Sequence, residues 1–258
     1  MGTLVMDLEI CVDSVESAIA AAKGGAKRIE LCSALSEGGI TPSAGLISAV
    51  RAAVAIDVFV IIRPRGDDFV YSEAEFEIMR NDILEAKARK VDGVVLGVLT
   101  KEGMVDVERM RNLIEVARPL GVTFHRAFDV CKDLDRALED VISSGADRIL
   151  TSGGKQDAMR GAARIAQLRK NAGNRIRIMA GGGIRASNVR TIALKTGIYE
   201  VHTSLSKNVA HVPSDGGAEL GARQNGHKSF RVHEHDVQAF KSALESLALE
   251  TKPGFPVQ

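Results

Sequence analysis

Short runs of apolar or alternating residues recur along the chain, and each is followed by a longer stretch with helical spacing. The runs that read as strands are Leu8–Val12, Arg28–Cys32, Val58–Arg63, Gly93–Gly97, Val122–Arg126, Arg148–Ser152, Ile176–Ala180 and Glu200–Ser204. The helices predicted after them are Val15–Lys23, Ser43–Val54, Glu73–Arg89, Val107–Arg118, Leu134–Ser143, Ala158–Lys170, Asn188–Lys195 and Glu234–Leu249. Regular alternation predicts an α/β protein with a parallel sheet and right-handed crossovers. Eight even units predict one (β/α)8 TIM-like barrel domain over residues 1–258, in preference to an open doubly wound sheet.

The second strand carries the most unusual pattern. Residues two apart on a strand share a face, so Arg28, Glu30 and Cys32 point one way and Ile29 and Leu31 the other. Polar groups on a buried strand face cost free energy unless they are paired or wet. Beyond this strand Gly38–Gly39 permit a loop, and Thr41–Pro42 reads as a helix start with Thr41 as N-cap. Helix, Gly–Ala turn and Arg-led strand occur twice, at Ala20–Glu30 and at Val141–Leu150. One segment breaks the rhythm: residues 205–231 are rich in Gly, Ser, Asn and His, and are expected to hold a poorly ordered stretch or an extra hairpin.

Composition narrows the classes. The 258 residues are 45% hydrophobic and 26% charged, which is ordinary for a globular chain. A net charge of +1 gives no field favouring nucleic acid or an anionic membrane, and the absence of Trp leaves little for base stacking. No apolar run reaches the roughly 18 residues of a membrane span. Met1–Asp7 lacks the regions of a signal peptide, and three scattered cysteines do not form a disulfide framework. A cytoplasmic location is the expectation.

In a barrel of this kind, side chains at the strand C-termini face the ligand-binding mouth. Those ends offer Glu9 and Cys11, Glu30 and Cys32, Arg63 with Arg65 just beyond, and His125, Arg126 and Asp129. Thr151 and Ser152, then Gly181, Gly182 and Gly183, then His202 and Ser204 complete the set. Any one of these alone reads as a satisfied buried polar group; together they read as a pocket. The three glycines and Ser204 lie where the loops after strands seven and eight can hold an anion; the bland alternative is a tight turn. Cys11 and Cys32 end adjacent strands and are candidate soft-metal ligands, although free cysteines are commonly buried and inert. His233 and His235 read as a solvated helix start, and Cys131 as a turn residue without a partner.

Several motifs resemble one known family. They are Glu9–Ser14, Arg28–Ser33, Glu37–Gly39 with Thr41–Pro42, Ile62–Gly66, Thr123–Asp129, Leu150–Gly153 and Gly181–Ile184. In order and as a set they resemble the CutC copper-homeostasis family, over about Asp7 to Ser204. The resemblance implies a cytoplasmic TIM-like barrel, a homo-oligomer such as a homodimer, and copper binding, with Cys11 and Cys32 as the thiols that hold Cu(I). The residues also support a second class. Arg63, Arg65 and Arg126 favour an anion over a bare cation. On that reading the chain is an enzyme for a small phosphorylated or carboxylated molecule. Glu9 or Glu30 would then be the base, His125 or His202 the acid, and Arg63 an electrostatic clamp.

Overall fold

The computed structural model describes residues 6–205, 207–209 and 229–250. The strands are β1 (Asp7–Val12), β2 (Arg28–Leu31), β3 (Asp57–Ile61), β4 (Gly93–Leu96), β5 (Gly121–Phe124), β6 (Arg148–Thr151), β7 (Arg177–Ala180) and β8 (Glu200–Thr203). They pair in sequence order, all parallel, and β8 returns to β1 to close the barrel. Helices α1 (Val15–Lys23), α2 (Ala44–Ala53), α3 (Glu73–Ala88), α4 (Val107–Ala117), α5 (Leu134–Ser144), α6 (Ala162–Ala172) and α7 (Val189–Thr196) connect successive strands, and α8 (Glu234–Glu250) follows the last. Closure removes the edges that an open sheet would expose. Among the described residues, no helix is long and apolar enough to cross a membrane.

Strand alternation sorts the side chains into two cores. Ile10, Ile29, Leu31, Val58, Val60 and Ile62 are buried in the layer between barrel and helices. Cys11, Cys32, Phe59, Ile61 and Val95 form a separate cluster inside the barrel. The lower lumen is ionic: Arg28 bonds both Glu9 and Glu200, and Arg148 bonds Glu200 and Thr123. Both guanidinium groups lie over the Phe59 ring, at 4.9 and 5.6 Å from its centre. Such ions survive burial because each charge is matched and hydrogen-bonded.

Local chemistry starts most helices where expected. Ser14, Ser43, Ser72, Asp106 and Asp133 cap α1 to α5 by accepting a backbone N–H, and Ser72 with Glu75 forms a reciprocal capping box. Three expectations are corrected. Thr41 is not an N-cap; its hydroxyl accepts the Arg63 N–H at 2.9 Å, and Ser43 starts α2 instead. The sixth helix begins at Ala162, not Ala158, because Gly161 is pressed onto Ser152, where an added Cβ would lie 1.8 Å from the carbonyl oxygen. The fifth strand ends at Phe124, and His125 caps a 3-10 turn over Arg126–Val130.

In the irregular segment, β9 (Lys207–Val209) and β10 (Ser229–Arg231) pair antiparallel. The rest of the expectation for 205–231, on residues 206 and 210–228, lies outside the described residues. His233 and His235 are exposed at the start of α8, as read. Cys131 is more enclosed than a turn position implies: it is buried, its thiol reaches the Ala127 carbonyl at 3.5 Å, and burial pushes its pKa up to about 12.

Candidate functional site

The register of three neighbouring strands builds the floor of the mouth. Cys11 on β1 stands beside Glu30 on β2, and Glu9 beside His202 on β8. Ligand-type atoms of Cys11, Glu30 and His202 all lie within 4.8 Å of one another. The Cys32 thiol sits behind this group, 3.6 Å from the Cys11 sulfur. His202 Nδ1 meets Glu9 Oε1 at 2.7 Å, which fixes the ring.

Charge at the floor is balanced by pairing. Burial acts to raise the Glu9 pKa, but Arg28 and His202 prevail and hold it at about 2. Burial raises the Glu30 carboxyl, and its Oε2 has no hydrogen-bond partner. Burial acts to lower His202, yet Glu30, the Cys11 hydrogen bond and Glu9 together raise it well above the ordinary imidazole value. The Cys11 thiol is raised too, first by its bond to Cys32 and then by burial.

Above the floor opens a cavity of about 350 Å³. Arg63, Phe69, His125, Arg126, Gly182 and Arg185 form its walls. Arg63 is held on backbone carbonyls: Nη1 donates to Glu37 and Gly39, Nη2 to Asp67, and Nε has no partner. Arg126 donates to Asp129 at 2.7 Å and to the Ser152 hydroxyl at 2.8 Å. Asp129 in turn accepts from Thr151, from Ser152 and from the Gly154 N–H, so it organises the loop after β6. His125 is buried and accepts the Ala127 N–H on Nδ1 at 3.2 Å.

Of the residues named from sequence, Cys11, Glu30, Arg63, His125, Arg126, Gly182, Gly183, His202 and Ser204 line this one cavity. Glu9 does not; it is fully buried one layer deeper, where it orients His202. Cys32 also stays behind the wall. Gly181 packs against Leu150 and His202, where a Cβ would come within 2.5 Å of Leu150. Arg65 turns away to bond Glu75, Asp68 and the Val70 carbonyl, and staples its own loop. Leu35, Phe69 and Arg185 were missed. Arg185 follows directly on Gly181–Ile184 and was findable; Phe69 lies in a loop and Leu35 in a single 3-10 turn, and neither carries a periodic signal.

Fold and site together define a (β/α)8 barrel with a cavity at the C-terminal ends of its strands, lined by both charged and apolar side chains. The chain belongs to the CutC family, whose profile matches residues 6–207. A CutC family protein from Parabacteroides distasonis is 54% identical over 198 residues, 76% of this chain and 82% of that protein. The human copper homeostasis protein cutC homolog is 50% identical over 197 residues, 76% of this chain and 72% of its own. Among solved structures, the putative copper homeostasis protein CutC from Streptococcus agalactiae superposes with a TM-score of 0.74 at 35% identity, covering 78% of this chain and 99% of that one.

Proposed function

We propose that this protein acts in copper homeostasis by binding Cu(I) at the floor of the mouth. The observation that carries this reading is the convergence of Cys11, Glu30 and His202 within 4.8 Å. A thiolate and an imidazole are the ligand types that Cu(I) prefers, and Cys32 brings a second sulfur 3.6 Å behind the first. The donor set therefore fits the ion, with Cys11 and His202 as ligands and Cys32 within reach as a third. Binding requires Cys11 to lose its proton and His202 to be neutral, so affinity rises with pH and protons are released on binding. Free thiols at positions 11 and 32 also accord with a reducing, cytoplasmic setting.

The test is an anaerobic Cu(I) titration against a competing chelator. Cys11→Ser and His202→Asn should each weaken binding by more than the roughly 10- to 100-fold that loss of an outer-shell partner costs. A Cys11→Ser/Cys32→Ser double variant that holds Cu(I) as tightly as the wild type would overturn the proposal.

A further inference from the structure

The walls of the mouth hold two buried hydrogen-bond donors without a partner among the described residues. His125 shows this most directly. Its Nδ1 accepts the Ala127 N–H. A neutral imidazole has one donor and one acceptor, so the proton sits on Nε2. Burial first, and then the Arg63 charge, lower the His125 pKa to about 3, which keeps the ring neutral. The Nε2–H is buried and has no partner, and the His125 side chain lines the cavity. Arg63 Nε is a second buried donor in the same state, on a guanidinium already fixed by three carbonyls. Unmet buried donors are rare in folded proteins and call for an acceptor.

Charge points the same way. Three arginines line the cavity, and Glu30 is its one carboxylate among the described residues. Neither Arg63 nor Arg185 pairs with a carboxylate among those residues; the Arg185 side chain donates to its own neighbour's carbonyl, that of Ile184. Gly182 and Gly183 both have left-handed backbone, at φ of 95° and 67°, so a bare turn faces the ligand space beside Arg126. Phe69 meets His125 at a tilt, with ring centres 4.9 Å apart, lies 5.0 Å from the Arg63 guanidinium, and gives the cavity an apolar side. A small organic body suits that side, and a cavity of about 350 Å³ falls in the range of ligand sites.

We propose that the mouth binds the oxyanion group of a small organic molecule, a phosphate or a carboxylate, between Arg63, Arg126 and Arg185, with His125 as a neutral donor. This site lies above the Cu(I) ligands, goes beyond copper binding and does not depend on it.

The experiment uses metal-free protein titrated separately with inorganic phosphate and with malonate. Amide and imidazole NMR shifts locate binding, and the thermal midpoint measures it by mass action. Shifts at Gly182, Gly183 and the His125 Nε2–H at millimolar concentration are the expected result, and the tighter of the two probes identifies the group. Arg185→Ala removes an exposed side chain that holds no other element, so the fold should persist. It should weaken binding about tenfold, the scale of one charged hydrogen bond. Arg126→Gln is the second variant and should do the same. Two outcomes overturn the proposal: neither probe moves those signals, or both variants keep wild-type affinity, meaning that the ion binds elsewhere. Cu(I) binding is measured on separate samples, so its failure leaves this result intact.

Discussion

His125 and His202 face one cavity in opposite protonation states, and their neighbours explain why. His125 has Arg63 beside it and no carboxylate, so burial prevails and its pKa falls to about 3. His202 sits between Glu9 and Glu30, which outweigh burial and raise it. The stability consequences have opposite signs. An unfolded His takes up its proton near pH 6.5, whereas folded His125 stays neutral until about pH 3. The unfolded state therefore binds more protons in that window, and the His125 contribution declines as pH falls, by about 3 kcal/mol between pH 6.5 and 4. The His202 contribution is complete below pH 6.5 and is lost as pH rises through its raised folded value. Glu9 stabilises above about pH 4.5 and loses that effect as pH falls towards about 2. His125→Gln should therefore flatten the acid side of the stability curve, read from urea midpoints at pH 7 and pH 4. A variant as steep as the wild type would mean that folded His125 does take up a proton in this range.

Strands β3, β4 and β5 carry a constraint that their own sequences do not announce. Phe59 points into the lumen, and its ring occupies the space where Gly93 and Gly121 have no side chain. A Cβ at Gly93 would lie 2.4 Å from the ring, and one at Gly121 would lie 2.9 Å from it. Ala ordinarily suits a strand better than Gly, because Gly loses more backbone freedom on folding. Here overpacking should reverse that preference. Gly93→Ala is expected to destabilise by about 1–3 kcal/mol, and adding Phe59→Leu should recover part of the loss. Denaturant unfolding of the single and double variants checks both statements. The helix–turn repeat was legible at this scale: Gly25 and Gly145 both take left-handed angles, φ of 90° and 89°, at the two places where the sequence repeats itself. The late start of α6 was not legible, since it depends on Gly161 meeting a carbonyl nine residues earlier in the chain.

Closure of the whole barrel brings residues from its two ends of sequence into one ion network. Arg28 and Arg148 come from β2 and β6, and both bond Glu200 on β8. Removing one member leaves buried charge without its full complement, which costs about 3–5 kcal/mol in such pairs. Arg148→Met should fall at the lower end of that range, because Arg28 still holds Glu200. Arg177 also approaches Glu200, at 3.5 Å, but its side chain is 63% exposed. Arg177→Ala should therefore cost no more than about 1 kcal/mol. The contrast between the two variants in thermal or urea unfolding separates buried from screened charge. Equal losses would contradict the network as described.

What the sequence determined by itself is whatever depends on neighbours along the chain. Eight strand–helix units and the inward face shared by Arg28, Glu30 and Cys32 follow from local periodicity. The polar strand ends were legible as a set for the same reason. Their individual fates were decided only by the tertiary structure. Glu9 and Glu30 look equivalent in sequence, yet the stagger of β1 against β2 sets Glu30 level with Cys11 and sinks Glu9 beside Arg28. Arg63 and Arg65 are two residues apart; one reaches the cavity and the other staples a loop. Stagger in a closed barrel is a property of all eight strands together. The distance between two strand ends, and the charge each of them carries, therefore exists only after closure.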